Sequence, residues 1–166
     1  KGRHDPWLTR GAIDCWLAVL SLPLALFLVP WPQGHVWWIL LGSLAIHFVY
    51  KVLMAMAYSR AAFTVVYPVV RGTGLLATVA VASVAFAERY SSVQWLGVLL
   101  LSGSILALAA VNLRNATVGR DDLRAGLVVA FLCGISVAVY TTYDAFGIRS
   151  TPDPFTFLAW FFLITA

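Results

Sequence analysis

The chain has 166 residues, 61% hydrophobic and 11% charged, with a formal net charge of +4 and a mean hydropathy of +0.89. Soluble domains carry about 25% charged residues. A water-soluble fold of this length cannot bury so much apolar surface, so the composition places the chain in lipid. The small positive balance lies in short loops, with no basic patch interleaved with exposed aromatics, which excludes a nucleic-acid partner.

Transmembrane helices need about 20 mainly apolar residues. Five such windows follow one another along the sequence: Gly11–Val29, Val36–Tyr58, Ala62–Ala87, Ser92–Asn112 and Arg124–Phe146. A sixth apolar run starts at Pro154 and reaches only Ala166, too short to span, and the chain opens at Lys1 in what reads as a loop. The expectation is a fragment of a longer membrane protein. The connections Pro30–Gly34, Ser59-Arg60 and Glu88–Ser91 are short enough to force antiparallel neighbours. The longest loop, Leu113–Leu123, contains the sequon Asn115-Ala116-Thr117.

The first window carries Asp14. The second carries Ser43, His47, Lys51, Ala55 and Ser59 at four-residue spacing, one face of a helix, flanked by Tyr50. Lys51 is close enough to the helix end to snorkel to the headgroups. His47 lies a turn deeper and needs a cavity or a hydrogen-bond partner.

The third window contains Tyr67-Pro68-Val69-Val70-Arg71-Gly72-Thr73-Gly74, and Arg71 is the only charge between Ala61 and Ala87. A guanidinium in hydrocarbon costs about 2.5–3.5 kcal/mol on insertion scales. Something must offset that cost: a carboxylate, a water-filled cavity or a ligand. Pro68 removes a backbone donor and predicts a kink. Gly72 and Gly74 allow close approach to the backbone, and the guanidinium fork suits a carboxylate or phosphate. The opposing reading is a structural ion pair.

The fifth window has Gly126, Ala130, Gly134, Ala138 and Thr142 on one face, the small residues that close packing in membranes needs. Beside them runs Ser136, Tyr140 and Asp144. Helix directions put Asp14 and Lys51 toward one side of the membrane. They put Glu88, Arg89, Asp144 and Arg149 toward the other, with Arg71 between the sets. Tyr50, Tyr67, Tyr140 and Tyr143 are candidates to line the same cavity.

Cys15 and Cys133 sit in apolar runs without metal spacing, and no nucleotide, dinucleotide or metalloprotease motif is visible. No cofactor and no metal are therefore expected. Charge is uneven between the loops. One side has Lys1, Arg3, Arg10, Arg60, Arg114, Arg120 and Arg124; the other has Arg89 and Arg149. The positive-inside rule places the first set in the cytoplasm. Asp5-Pro6 precedes the first helix and Asp153-Pro154 the last. With five helices between them, the second copy is upside down, as in inverted-repeat transporters.

The stretch from about Leu44 to Ala109 resembles the EamA domain of the drug/metabolite transporter superfamily. The resemblance rests on Ala57-Tyr58-Ser59-Arg60-Ala61, Val66–Gly74, Glu88-Arg89-Tyr90-Ser91, Gln94–Val98 with Ser102-Gly103, and Tyr143–Arg149. It implies an all-α membrane protein, a helical bundle that is a fragment of a ten-helix inverted repeat. Residues 1–112 would be the first repeat without its first helix, and 113–166 the start of the second. Members are generally drawn with the N-terminus inside, which would put the Lys1–Arg10 loop outside, opposite to the charge bias.

The function expected on these grounds is secondary-active transport of a small polar metabolite, an amino acid or organic anion, by alternating access. The chain would be a multi-pass protein of the cell membrane, the bacterial inner membrane in this family, with lipid and a small solute as partners and a homodimer as an option. Arg71, His47, Lys51, Tyr50, Tyr67, Tyr140 and Tyr143 would bind substrate. Asp144, Glu88 and Asp14 would gate or carry protons. The alternatives are an integral-membrane enzyme or a non-transporting scaffold subunit.

Overall fold

A computed structural model describes residues 6–114 and 120–166 of the chain. The sequon at Asn115–Thr117, together with Lys1, Arg3 and Asp5 of the charge and repeat readings, lies outside the described residues. Among the described residues the secondary structure is helical throughout: α1 (Pro6–Pro23), α2 (His35–Arg60), α3 (Phe63–Ala85), α4 (Ser92–Arg114), α5 (Arg120–Ser150) and α6 (Pro154–Thr165). Five of the helices are long and apolar enough to cross a membrane. This is the architecture of a multi-pass helical membrane protein.

Local chemistry explains the helix ends. Pro23 lacks an N–H, and directly after it the first helix widens into a single π turn, Leu24–Leu28. Gly34 takes φ +52° ahead of α2, a conformation glycine adopts without steric cost. Ser91 and Gln94 form a reciprocal capping box at the start of α4. The Ser91 N–H donates to the Gln94 side-chain oxygen at 2.7 Å, and the Gln94 N–H donates to Ser91 Oγ at 3.3 Å. Asp153 caps α6, accepting from the N–H groups of Phe155 and Thr156, with Pro154 in the first turn. The Asp153-Pro154 pair is thus a helix-start signal in its own right.

Apolar side chains also cover the outward faces: Val84 is 84% exposed, Phe27 83% and Val93 78%. In water such faces would drive aggregation; in lipid they are solvated. The hydrophobic effect then contributes little to helix association, which falls to close van der Waals packing.

The chain forms two compact units. One comprises the residues up to Phe48 with Tyr143–Ala166; the other is Val49–Thr142. In the first unit, Phe157, Leu40, Ile39, Val36 and Ala25 make the core, and Trp31 and Trp37 pack on Trp160 at ring separations of 4.9 and 5.2 Å. Gly147 admits the Phe157 ring, and Gly42 admits the Tyr143 hydroxyl.

In the second unit the core is Ala57, Ala61, Val66, Val70, Ala130 and Cys133. The small-residue stripe of α5 is the buried seam here. Gly126 lies against Ala61, and Gly134 against the Thr73 side chain and the Gly74 backbone. Across α3, Gly72 receives Leu106 of α4 and Gly74 receives Val137 of α5.

Helices α2, α4 and α5 run beyond their apolar windows, whereas α3 lies just inside its own. The largest difference is in α5, which extends to Ser150, so Asp144 lies well inside the helix. The window ended at Phe146 because Gly147 and Arg149 break the apolar run, although neither stops a helix whose other face is packed.

Candidate functional sites

The first unit contains a buried polar cluster. Ser43 and His47 stand one turn apart on α2, and Asp144 faces them from α5. The Ser43 hydroxyl donates to Asp144 Oδ1. His47 Nε2 lies 2.8 Å from Asp144 Oδ2, so the imidazole N–H donates to the carboxylate. Ser43 is fully buried, and the His47 and Asp144 side chains are 13% and 17% exposed. The His47 ring also meets Phe161 edge-on at 5.0 Å. Both carboxylate oxygens are therefore engaged. An ionisable pair inside a membrane is expensive, and mutual hydrogen bonding is how it is retained.

This cluster has the residue types of a nucleophilic triad in a different order. The hydroxyl donates directly to the Asp144 carboxylate, and the imidazole bonds that same carboxylate and not Ser43 Oγ. Nucleophile activation needs hydroxyl and base side by side.

The second unit contains Arg71. Its guanidinium carbon sits 5.4 Å from the ring centroid of Tyr67, one turn earlier on α3. Tyr67, Tyr50 and Tyr140 all lie within electrostatic reach of the charge. Tyr50 and Tyr140 meet edge-on at 5.0 Å, and Tyr58, Phe63 and Tyr67 stack in series at 5.4 and 5.0 Å. Arg71 is exposed on this chain, and among the described residues no carboxylate forms an ion pair with it. Its surroundings are phenols and aromatic faces, which stabilise a cation without neutralising it.

Pro68 lies inside α3. The Thr64 carbonyl, which the missing Pro68 N–H would have served, accepts instead from Asn112 Nδ2 of α4 at 2.8 Å. One turn further, Thr73 Oγ1 donates back to the Val69 carbonyl at 2.6 Å.

Of the sequence-predicted residues, the structure brings together His47 with Asp144, and Arg71 with Tyr67, Tyr50 and Tyr140. Tyr143 packs against Gly42 and Phe146 in the first unit. Glu88 accepts from the Tyr90 hydroxyl at 2.5 Å within the α3–α4 turn. Asp14 on α1 and Lys51 on α2 are half-buried, and each is engaged by a neighbour. Among the described residues no group of three or more His, Cys, Asp or Glu side chains is placed to hold a metal. An open depression of about 370 Å³ lies where Tyr58–Ala61 approach Asp122, away from Arg71.

Sequence reasoning passed over Asn112 and Ser43 as functional residues. The signal for Asn112 was indirect: a proline inside a lipid-embedded helix requires a substitute donor, but nothing in one dimension says which residue provides it.

No protein-family model matches this chain, and no curated protein or solved structure matches it.

Proposed function

We propose that the chain belongs to a secondary-active transporter for a small anionic or zwitterionic metabolite, such as an amino acid or organic anion. The observation that carries this reading is Arg71. It is an exposed guanidinium in an apolar helix, held by tyrosines and paired with no carboxylate among the described residues. A charge kept at such cost has a use for its donors, and a carboxylate or phosphate group of a solute matches their geometry.

In this reading, solute binds Arg71 during alternating access, and the tyrosines contribute phenol donors and aromatic walls. The His47–Asp144 pair is a second polar element, fit to gate or to exchange a proton. The resemblance to EamA transporters adds the ten-helix inverted repeat, of which this chain would hold helices two to six and part of seven. It also adds a bacterial inner-membrane location. The enzyme alternative is weaker, because His47 bonds Asp144 and not the Ser43 hydroxyl, so the serine–histidine contact of a nucleophilic triad is not formed.

The test is uptake or efflux of an amino-acid and organic-anion panel by membrane-inserted wild type, Arg71→Ala and Arg71→Lys. Transport should fall at least about tenfold in Arg71→Ala and recover in part in Arg71→Lys. Unchanged kinetics in Arg71→Ala would overturn the reading.

A further inference from the structure

We infer that Asn112 is a positioning residue for Arg71, supplying from α4 the hydrogen-bond donor that Pro68 removes from α3. In an intact helix the Thr64 carbonyl would accept from the N–H of residue 68, which a proline does not have. The carboxamide nitrogen of Asn112 takes that place at 2.8 Å. Only this nitrogen serves, since the carboxamide oxygen cannot donate to a carbonyl.

The placement ties this bond to Arg71. Thr64, Pro68 and Arg71 follow one another at helical spacing on one face of α3. Thr73 bonds back to the Val69 carbonyl, which tends to bend a helix. Gly72 and Gly74 carry no side chain and are set instead by Leu106 and Val137 of the neighbouring helices. The direction of α3 from Thr64 to Gly74, and so of the guanidinium, is fixed from outside. Among the described residues, the Asn112 bond is the one side-chain hydrogen bond that joins α3 to α4. Releasing it frees the turn around Pro68 to hinge.

The Asn112 bond acts on how α3 is held. Its functional consequence rests on the anion-binding role of Arg71, which the transport assay tests separately. The direct test is amide hydrogen exchange of the full chain in nanodiscs, in a cycle of Asn112→Leu, Asn112→Asp, Pro68→Ala and Pro68→Ala/Asn112→Leu. Asn112→Asp keeps the shape and loses the donor. Pro68→Ala restores the backbone donor.

Exchange in the Val65–Thr73 segment should rise about tenfold in Asn112→Leu and in Asn112→Asp. Adding Asn112→Leu to Pro68→Ala should change it less than about twofold. An equal rise in both backgrounds would make Asn112 a packing residue and overturn the inference, as would no rise in the Asn112 single variants. Pro68→Ala/Asn112→Leu keeps a readable fold should Asn112→Leu alone not insert. A silent Arg71→Ala in transport alongside a positive exchange cycle would remove the anion-binding role and leave the hinge standing.

Discussion

His47 and Asp144 hold one another at 2.8 Å from facing helices, with the second carboxylate oxygen taken by the buried Ser43 hydroxyl. Three polar side chains thus satisfy one another inside an apolar unit. Removing the carboxylate takes away the acceptor of the Ser43 hydroxyl and of His47 Nε2. Asp144→Ala should lower stability by about 1–3 kcal/mol. Asp144→Asn, which keeps the shape and one acceptor, should cost less. Thermal unfolding in detergent would read both; equal losses would mean the carboxylate matters only as volume.

Ala87 ends the α3 region with φ +51°. A side chain in the left-handed region costs about 1–2 kcal/mol, which glycine avoids. Ala87→Gly should therefore raise stability by about 1 kcal/mol, and a β-branched Ala87→Val should lower it. A drop in melting temperature for Ala87→Gly would show that the turn has other constraints.

At Gly134, α5 packs directly against Thr73 and Gly74 of α3. A methyl group there would run into the Thr73 side chain and come within 3.2 Å of the Gly74 backbone nitrogen. Gly134→Ala should destabilise by about 1–3 kcal/mol through overpacking. Gly103, with nothing within 4 Å of an added Cβ, is the control: Gly103→Ala should be neutral or mildly stabilising. Equal effects at the two sites would count against close α3–α5 packing.

Asp153 sets a pH dependence for α6. The Thr156 hydroxyl, donating at 2.7 Å, and the backbone N–H groups of Phe155 and Thr156 hold its carboxyl below the ordinary value of 3.8. A group whose folded pKa is depressed contributes stability above its unfolded value. That contribution is lost as pH falls through the lower folded value. Amide exchange at Phe155 and Thr156 should therefore accelerate on acidification from about pH 5 to about pH 2. Asp153→Asn, which still caps but does not titrate, should remove most of that dependence.

Helix number and type were readable because window length and hydropathy are one-dimensional quantities. The ends were less so: α5 runs past the polar break at Gly147 and Arg149 because helices end at backbone signals, not at the edge of an apolar run. The small-residue stripe of α5 predicted a packing seam, and Ala130 and Ala138 are buried in it. The capping box at Ser91 and Gln94 was present in the sequence and is visible once the helix start is known.

The candidate site was legible only in part. Arg71 stood out because a lone charge in an apolar run is anomalous at any level of description. That its neighbours are Tyr67, Tyr50 and Tyr140, and not a carboxylate, depends on the packing of α2, α3 and α5. Asp144 lay near the end of its apolar window, where solvent is the default partner; the longer helix and the facing His47 and Ser43 replace that partner.

Composition alone made this a lipid-embedded helical chain, since hydropathy and helix length answer to the solvent, which acts on each segment separately. Pairing is different. His47 with Asp144, Asn112 with the Thr64 carbonyl and Gly134 with Thr73 join positions on different helices. In lipid such contacts come from shape and unsatisfied polar groups, not from a hydrophobic drive that sequence pattern records. They exist only once the helices are packed.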